Sequence, residues 1–418
     1  MAGFTNSTLI VPRGSSNLNP YDIKISESQI PESIPNNHVV IRVERFGFSA
    51  NNVTYQAFGE HPHFRYFEFH YSPEALDKYG VIPVWGYGTV VASTVGTIST
   101  GERVFGYFGM SKYLLLPIDT LDLNAHNFYV VRSHLTKDRR PYNQITRCAA
   151  DPLYKEATED LAMIYRPLFW TAFWCEDWLF SGTKVPFSGA STILISSASS
   201  KTAFCFAHLL GRRRISLQGT SIRIIGLTSK KNRDFTQSLQ LYDQVITYDE
   251  VTKKQLPTGD GKWVYVDLTA NEAINSKVVN VLGPILVRYV NLGVTSVAPN
   301  SDRKNAALGG SLGITSSSPR DGSTPEMFFM PEWLSERRKL LTVKQIAAMQ
   351  YHAWTELMGQ CGPWIRVKRT WGTKKVAEEY RELAENGVGP ENGLIWSLWN
   401  EGDIAKNSAS AKTIPSKL

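Results

Sequence analysis

Ser191-Thr192-Ile193-Leu194-Ile195-Ser196-Ser197-Ala198-Ser199-Ser200-Lys201-Thr202-Ala203-Phe204-Cys205-Phe206-Ala207-His208-Leu209-Leu210 reads as a short apolar strand, a turn of small residues and an apolar helix. A dinucleotide fold puts its pyrophosphate at such a turn, over the free N–H groups of the helix N-terminus. The glycines of a G-x-G-x-x-G turn are missing, and Ala198, Ser200 and Ala203 stand in their places. Small side chains still permit close approach, and Ser199, Ser200, Lys201 and Thr202 are the candidate phosphate-side residues. A Ser-capped buried helix also forms without any ligand, so this segment leaves both readings open.

The residues downstream favour a cofactor. Ser221 to Leu227 reads as a second strand at the spacing of a βαβ unit. NAD sites often place Asp or Glu at the end of that strand to bind the ribose 2′-hydroxyl. Here the chain reads Thr228-Ser229-Lys230-Lys231-Asn232-Arg233. Ser229, Lys230, Lys231 and Arg233 suit a 2′-phosphate, which carries about two negative charges near neutral pH. The expected cofactor is therefore NADPH, with a solvated basic loop as the alternative. Leu241 to Tyr248 reads as a short helix end and a third strand, and Lys262 to Leu268 as a fourth, with a helix over Ala273 to Val281 and another strand within Val287 to Val297. Such alternation predicts a doubly wound parallel sheet.

Pro167-Leu168-Phe169-Trp170-Thr171-Ala172-Phe173, the Ser-Ala-Ser-Ser-Lys-Thr-Ala turn, Tyr265-Val266-Asp267 and Phe328-Phe329-Met330-Pro331 carry a resemblance to the family labelled DUF2855. That family is similar to the zinc-free quinone and enoyl reductases of the medium-chain dehydrogenase/reductase superfamily. The resemblance implies an α/β protein with a GroES-like β-rich catalytic domain and a Rossmann domain. It divides the chain into 1–165, the N-terminal part of the catalytic domain; 166–325, the dinucleotide domain; 326–405, a return to the catalytic domain; and 406–418, a disordered tail. Val81 to Gly88 and Gly101 to Tyr107 resemble structural elements of the first domain. Relatives of this kind move hydride from NADPH to the β-carbon of an activated alkene, and some serve toxin or other secondary-metabolite biosynthesis.

In zinc-free relatives a Tyr following a matching Asn-Pro can donate a proton. Here Asn51-Asn52 replaces Asn-Pro, and Tyr55 falls close to the donor position. A phenol near pKa 10 suits a developing enolate. A core tyrosine is the alternative. Trp85, Tyr107 and Phe108 are candidates for the substrate cleft. The expected function is an NADPH-dependent enoyl reductase acting on an α,β-unsaturated acyl thioester or ketone. A carbonyl or quinone reductase, and a non-redox cyclase, isomerase or binding protein, stay open.

Composition sets the remaining bounds. At 418 residues, with 42% apolar residues and a net charge of +7, the chain has ample core for two or three domains. No apolar run approaches a membrane span, and no nucleic-acid-binding motif accompanies the mild basicity. Arg212-Arg213-Arg214 is expected to cap a helix C-terminus. Cys148, Cys175, Cys205 and Cys361 are widely spaced, which predicts reduced, buried thiols and no metal. His61, His63, Glu68 and His70 form the nearest metal-like grouping. The Asp119 to Leu161 segment reads as a surface insertion containing a helix near Asp151 to Ala162, and Asn300 to Pro325 as a mobile loop. The last residues, Ser416-Lys417-Leu418, spell a peroxisomal address on a polar tail, so a peroxisomal import receptor is an expected partner. Substrate identity and oligomeric state are not legible.

Overall fold

The computed structural model describes residues 4–71, 77–181, 189–216, 222–252, 255–256, 261–292 and 324–403. Most of the expected loop from Asn300 to Pro325, and the tail with Ser416, Lys417 and Leu418, lie outside the described residues. The chain divides into two compact units, and among the described residues one runs to Ile164 and resumes at Arg366. The other runs from Tyr165 to Ile365.

The first unit is built from β1 (Phe4–Pro12), β2 (Lys24–Ile30), β3 (His38–Phe48), β4 (Tyr79–Gly80), β5 (Pro83–Ser93), β6 (Arg103–Gly109), β7 (Tyr113–Pro117), β8 (Asn127–Tyr129) and β9 (Gln144–Arg147). Helix α1 (Ala50–Ala57) follows β3. The chain then crosses into the second unit along α2 (Glu159–Ser181). Strands β3, β5, β6, β9 and β8 run side by side in one sheet, and β7 pairs with β3. Its core is aliphatic and aromatic, with Val39, Ile41, Phe46, Ile82, Val84 and Phe108 all 1% exposed or less.

The sequence pattern of β3 suggests a half-buried strand, but both of its faces are covered. Arg42 and Glu44 supply the second face. Glu44 accepts from Arg42 Nη2 (2.8 Å) and Thr89 Oγ1 (2.8 Å) and pairs with Arg103. Arg103 also grips Glu159 at 2.9 and 2.6 Å. Arg45 bridges Glu159 and Asp160 at 2.6 Å each. Ions buried this way are tolerated because each is matched.

Two expectations for the segment before α2 are corrected. Asp119 to Leu161 is not a surface insertion, since β9 pairs antiparallel with β6 and β8 with β9, which extends the main sheet. Nor is there a helix from Asp151 to Ala162. Short turns occupy Cys148–Ala150 and Glu156–Thr158, and α2 starts at Glu159. Asp151 Oδ1 accepts from the Leu153 N–H at 3.0 Å, a local turn bond that competes with helix.

The second unit holds β10 (Thr192–Ile195), α3 (Lys201–Ser216), β11 (Arg223–Thr228), α4 (Arg233–Ser238), β12 (Gln244–Thr247), β13 (Trp263–Asp267), α5 (Glu272–Leu282), β14 (Leu286–Asn291), β15 (Pro325–Met327), α6 (Met330–Leu340) and α7 (Val343–Gln360). Its sheet runs β12-β11-β10-β13-β14-β15, every neighbour pair parallel. In strand order this is 3-2-1-4-5-6, the doubly wound arrangement whose ligand crevice lies where the order reverses, at the carboxyl ends of β10 and β13.

The return to the first unit comes at Arg366 rather than at 326. Residues after β15 are fixed to α2 within the second unit. Phe328 packs on Trp178 (5.4 Å between rings), and Trp333 Nε1 donates to Asp177 at 2.8 Å. Trp354 of α7 packs on Phe169 and Trp170. The chain then adds β16 (Arg366–Trp371), α8 (Thr373–Asn386) and β17 (Asn392–Ser397), with β17 antiparallel to β3. The arginines of α3 do more than cap a helix end. Arg212, Arg213 and Arg214 each pair with a different carboxylate: Glu356, Glu176 and Asp243.

Candidate cofactor and catalytic sites

The turn between β10 and α3 solves the missing-glycine problem with other residues. Ser197 itself takes the left-handed conformation, at φ 50°. Ala198 is fully buried, and the room for its side chain comes from Gly226 on β11. A Cβ on Gly226 would lie 2.9 Å from the Ala198 Cβ and 3.0 Å from the Tyr242 ring. The Tyr242 hydroxyl holds the turn by donating to the Ala198 carbonyl at 2.8 Å. Thus the glycine needed for close packing sits on the neighbouring strand.

Ser196 and Asp267 tie the two strand ends at the reversal point. Ser196 Oγ donates to Asp267 Oδ1 (2.7 Å) and accepts from the Leu268 N–H (2.8 Å). Asp267 is fully buried and also accepts from the Thr269 and Ala270 N–H groups and from Asn275 Nδ2. A buried carboxylate held by several neutral donors is a rigid anchor for the turn.

The predicted phosphate-side residues divide. The Ser199 hydroxyl is taken up within the protein, accepting from Thr228 Oγ1 (3.3 Å) and Asn232 Nδ2 (3.1 Å). Ser200 Oγ accepts from the Ala203 N–H at 3.3 Å. Lys201 and Thr202 open α3 and are half-buried. The backbone N–H groups of Ser199 and Thr202 have no partner among the described residues. Such donors at the start of a 16-residue helix suit an anion.

The 2′-phosphate set also divides. Ser229 starts a short turn over Lys230–Asn232 at the carboxyl end of β11. Lys230 and Lys231 are exposed and make no ion pair among the described residues. Arg233 instead donates to Glu250 at 2.8 Å, so its charge is already matched.

In the first unit, α1 opens with a reciprocal cap: the Ser49 N–H donates to Asn52 Oδ1 at 3.0 Å. Asn52 also donates to the Pro83 carbonyl at 3.3 Å, work a proline there could not do. Four residues on from Asn51, Tyr55 accepts from Asn51 Nδ2 at 3.1 Å. Its ring stacks on Tyr66 (4.1 Å) and meets Tyr107 edge-on (6.4 Å). Tyr107 in turn contacts Trp85 (5.0 Å) and Tyr142 (5.1 Å). Phe67 seats this corner firmly, because Gly59 and Gly80 leave just enough room for its ring. Burial, then the neighbouring Tyr142, push the Tyr55 pKa well above its ordinary value, while Tyr107 and Asn51 pull weakly the other way. Trp85 and Tyr107 therefore belong to one aromatic cluster with Tyr55, whereas Phe108 is a core residue with no exposed surface.

The metal-like grouping is dispersed over separate partners. His61 Nδ1 accepts from the His63 N–H (3.2 Å), Glu68 pairs with Arg65, and His70 Nε2 meets the Tyr107 carbonyl (3.0 Å). Among the described residues no three His, Cys, Asp or Glu side chains gather in a metal-binding group. All four cysteines are free and buried.

A β-rich unit plus a parallel 3-2-1-4-5-6 sheet is the fold of the medium-chain dehydrogenase/reductases, and solved structures bear this out. CurA from Vibrio vulnificus, in complex with NADPH, is 12% identical with a TM-score of 0.55, over 94% of this chain and 99% of that one. CurK enoyl reductase is 13% identical with a TM-score of 0.52, over the same shares. Galactitol-1-phosphate dehydrogenase from Escherichia coli is 11% identical with a TM-score of 0.50, again over 94% and 99%. None of the curated proteins matches the sequence. The family model described as "Protein of unknown function (DUF2855)" matches residues 46–389, and the chain belongs to that family.

Proposed function

We propose that this protein is an NADPH-dependent oxidoreductase that reduces the carbon–carbon double bond of an α,β-unsaturated acyl thioester or ketone. The observation that carries the cofactor assignment is the reversal point of the parallel sheet. There, unpartnered N–H groups open α3, and the unpaired Lys230 and Lys231 follow β11 with no Asp or Glu at the strand end. The residues present fit the group. Ser199 and Thr202 would offer backbone donors to its pyrophosphate, and Ser229, Lys230 and Lys231 would take the 2′-phosphate. NADPH supplies hydride when bound. The captured Ser199 hydroxyl and the paired Arg233 would brace these donors rather than touch the ligand. Solved proteins of the same fold include one holding NADPH and one named an enoyl reductase, which supports the reading.

NADPH should bind more tightly than NADH, and Lys231→Glu should narrow or reverse the gap by roughly 5- to 150-fold, the worth of one charged phosphate contact. Fluorescence titration of the purified protein with both cofactors decides it. Equal affinities in the unsubstituted protein would refute the NADPH assignment. Binding of neither cofactor would leave the non-redox reading.

The same proposal places the protein in the peroxisome, where acyl thioesters are processed, on the strength of Ser416-Lys417-Leu418. An N-terminal fluorescent fusion should co-localise with a peroxisomal marker and turn diffuse when the three residues are deleted. A full-length fusion that stays diffuse in import-competent cells would remove this part alone.

A further inference from the structure

We propose that the outer edge of β16 is a docking site for an extended, acidic segment of a partner polypeptide, which adds to the sheet as a further strand with a carboxylate at every second position. The site lies within the first unit and does not depend on the reductase reading above.

β16 ends its sheet, with β17 on one side and no strand on the other among the described residues. The N–H groups of Arg366 and Gly372 donate on the β17 side, to the Glu391 and Ser397 carbonyls at 2.7 and 3.0 Å. Backbone groups alternate sides along a strand, so Val367, Arg369 and Trp371 turn their N–H and C=O groups outward. None of these backbone groups has a partner among the described residues. Arg366, Val367, Lys368 and Arg369 are all exposed, so the row is open. Such a row is a template for one more strand.

Charge decides what the template accepts. Arg366 to Lys375 holds five cations and no acid. Arg369 pairs with Asp160, Nε to Oδ2 at 2.7 Å. Arg366, Lys368, Lys374 and Lys375 are exposed and make no ion pair among the described residues. Cations along an edge also guard against self-pairing, which accounts for Arg366 and Lys368. It does not account for Lys374 and Lys375. They stand in the first turn of α8, where a helix favours acids, and that turn has none. A second copy of β16 would set like charges against each other, which a sheet penalises. An acidic strand running past Trp371 would instead bring carboxylates toward both groups of cations. Arg366 and Lys368 lie on one face, two residues apart, so the incoming strand needs its acids at the same interval. Val367, 37% exposed, points to the other face and favours an apolar residue between them. A nucleic acid would meet the charges but leave the backbone row unpaired.

The test is fluorescence anisotropy on the full chain with a labelled peptide in which Glu and Val alternate. The peptide should bind, and more weakly as salt rises. A peptide of the same composition with its Glu residues in one block should bind roughly 3- to 30-fold more weakly, as should the alternating peptide to Lys368→Glu. Val367→Pro takes away one outward N–H and spares the bonds to β17, so binding should fall with a thermal midpoint little changed. The same bonds can be read from the ligand, whether or not that variant folds. N-methylating every Glu or every Val of the peptide should abolish binding in one case and spare it in the other, because only one set of N–H groups faces β16. Equal loss or equal retention in the two methylated peptides would overturn strand addition, and so would equal binding of the block peptide. Tighter binding of an oligothymidylate of the same charge would replace the acidic strand with a nucleic acid. No peptide binding at low salt would leave the cations as guards of the edge and end the proposal.

Discussion

Tyr55→Phe should lower turnover of a conjugated thioester or ketone by roughly 10²- to 10⁴-fold while leaving NADPH affinity essentially unchanged. Reducing such an alkene builds negative charge on the carbonyl oxygen and the α-carbon, and a positioned donor must meet that charge. Tyr55 is the candidate because α1 fixes it. The Ser49–Asn52 cap sets the helix start, Asn51 orients the hydroxyl, and Tyr66 stacks on the ring. Phenylalanine keeps the ring and the stack, so the loss should fall on kcat rather than on KM. The raised pKa adds a second readout. Burial, then Tyr142, hold the phenol protonated beyond its ordinary value of about 10, so no basic-side loss of rate should come from Tyr55 below about pH 10. If turnover survives the substitution, water, the cofactor ribose or Tyr107 supplies the proton, and only this assignment falls.

The Rossmann half was legible in the sequence because its signal is periodic and local. Ile193-Leu194-Ile195, Ile224-Ile225 and Val264-Tyr265-Val266 are short apolar runs at βαβ spacing, and all became buried parallel strands. What stayed hidden depends on long-range packing. Nothing local marks Gly226 as the residue that makes room for Ala198, some 28 positions earlier. Asp267 was visible only as part of a resemblance, and its bond to Ser196 spans 71 residues. The captured Ser199 hydroxyl and the Arg233–Glu250 pair likewise need coordinates to see. At the domain boundary, Phe328 belongs to a stretch that carries the resemblance and Trp333 follows it closely, but neither residue type marks the unit in which it packs. Their docking on Trp178 and Asp177 keeps the chain in the second unit until Arg366. For β3 the polar positions misled, because Arg42 and Glu44 are buried by mutual pairing rather than exposed.

That pairing carries the other large expected effect. Glu44→Gln should destabilise the protein by about 3–5 kcal/mol, the typical cost of removing one partner from a buried ion pair. Glutamine keeps the shape and still accepts from Thr89, so the loss isolates the charge facing Arg42 and Arg103. Neither arginine lacks a partner at present, but Arg42 has only Glu44 among its described ion pairs, whereas Arg103 keeps Glu159. Most of the cost should therefore come from Arg42. Burial alone would raise the Glu44 pKa; Arg103 and then Arg42 outweigh it and set the carboxyl below its ordinary value. A carboxyl whose folded pKa lies below the unfolded one stabilises fully above the unfolded value, about 4.3, and loses that contribution as pH falls through the folded value. Urea unfolding from pH 7 downward should show the unsubstituted protein weakening below about pH 5, and the gap to Glu44→Gln closing over the same interval. Stability curves that stay parallel down to acid unfolding would show that Glu44 is not the group whose charge holds this layer together.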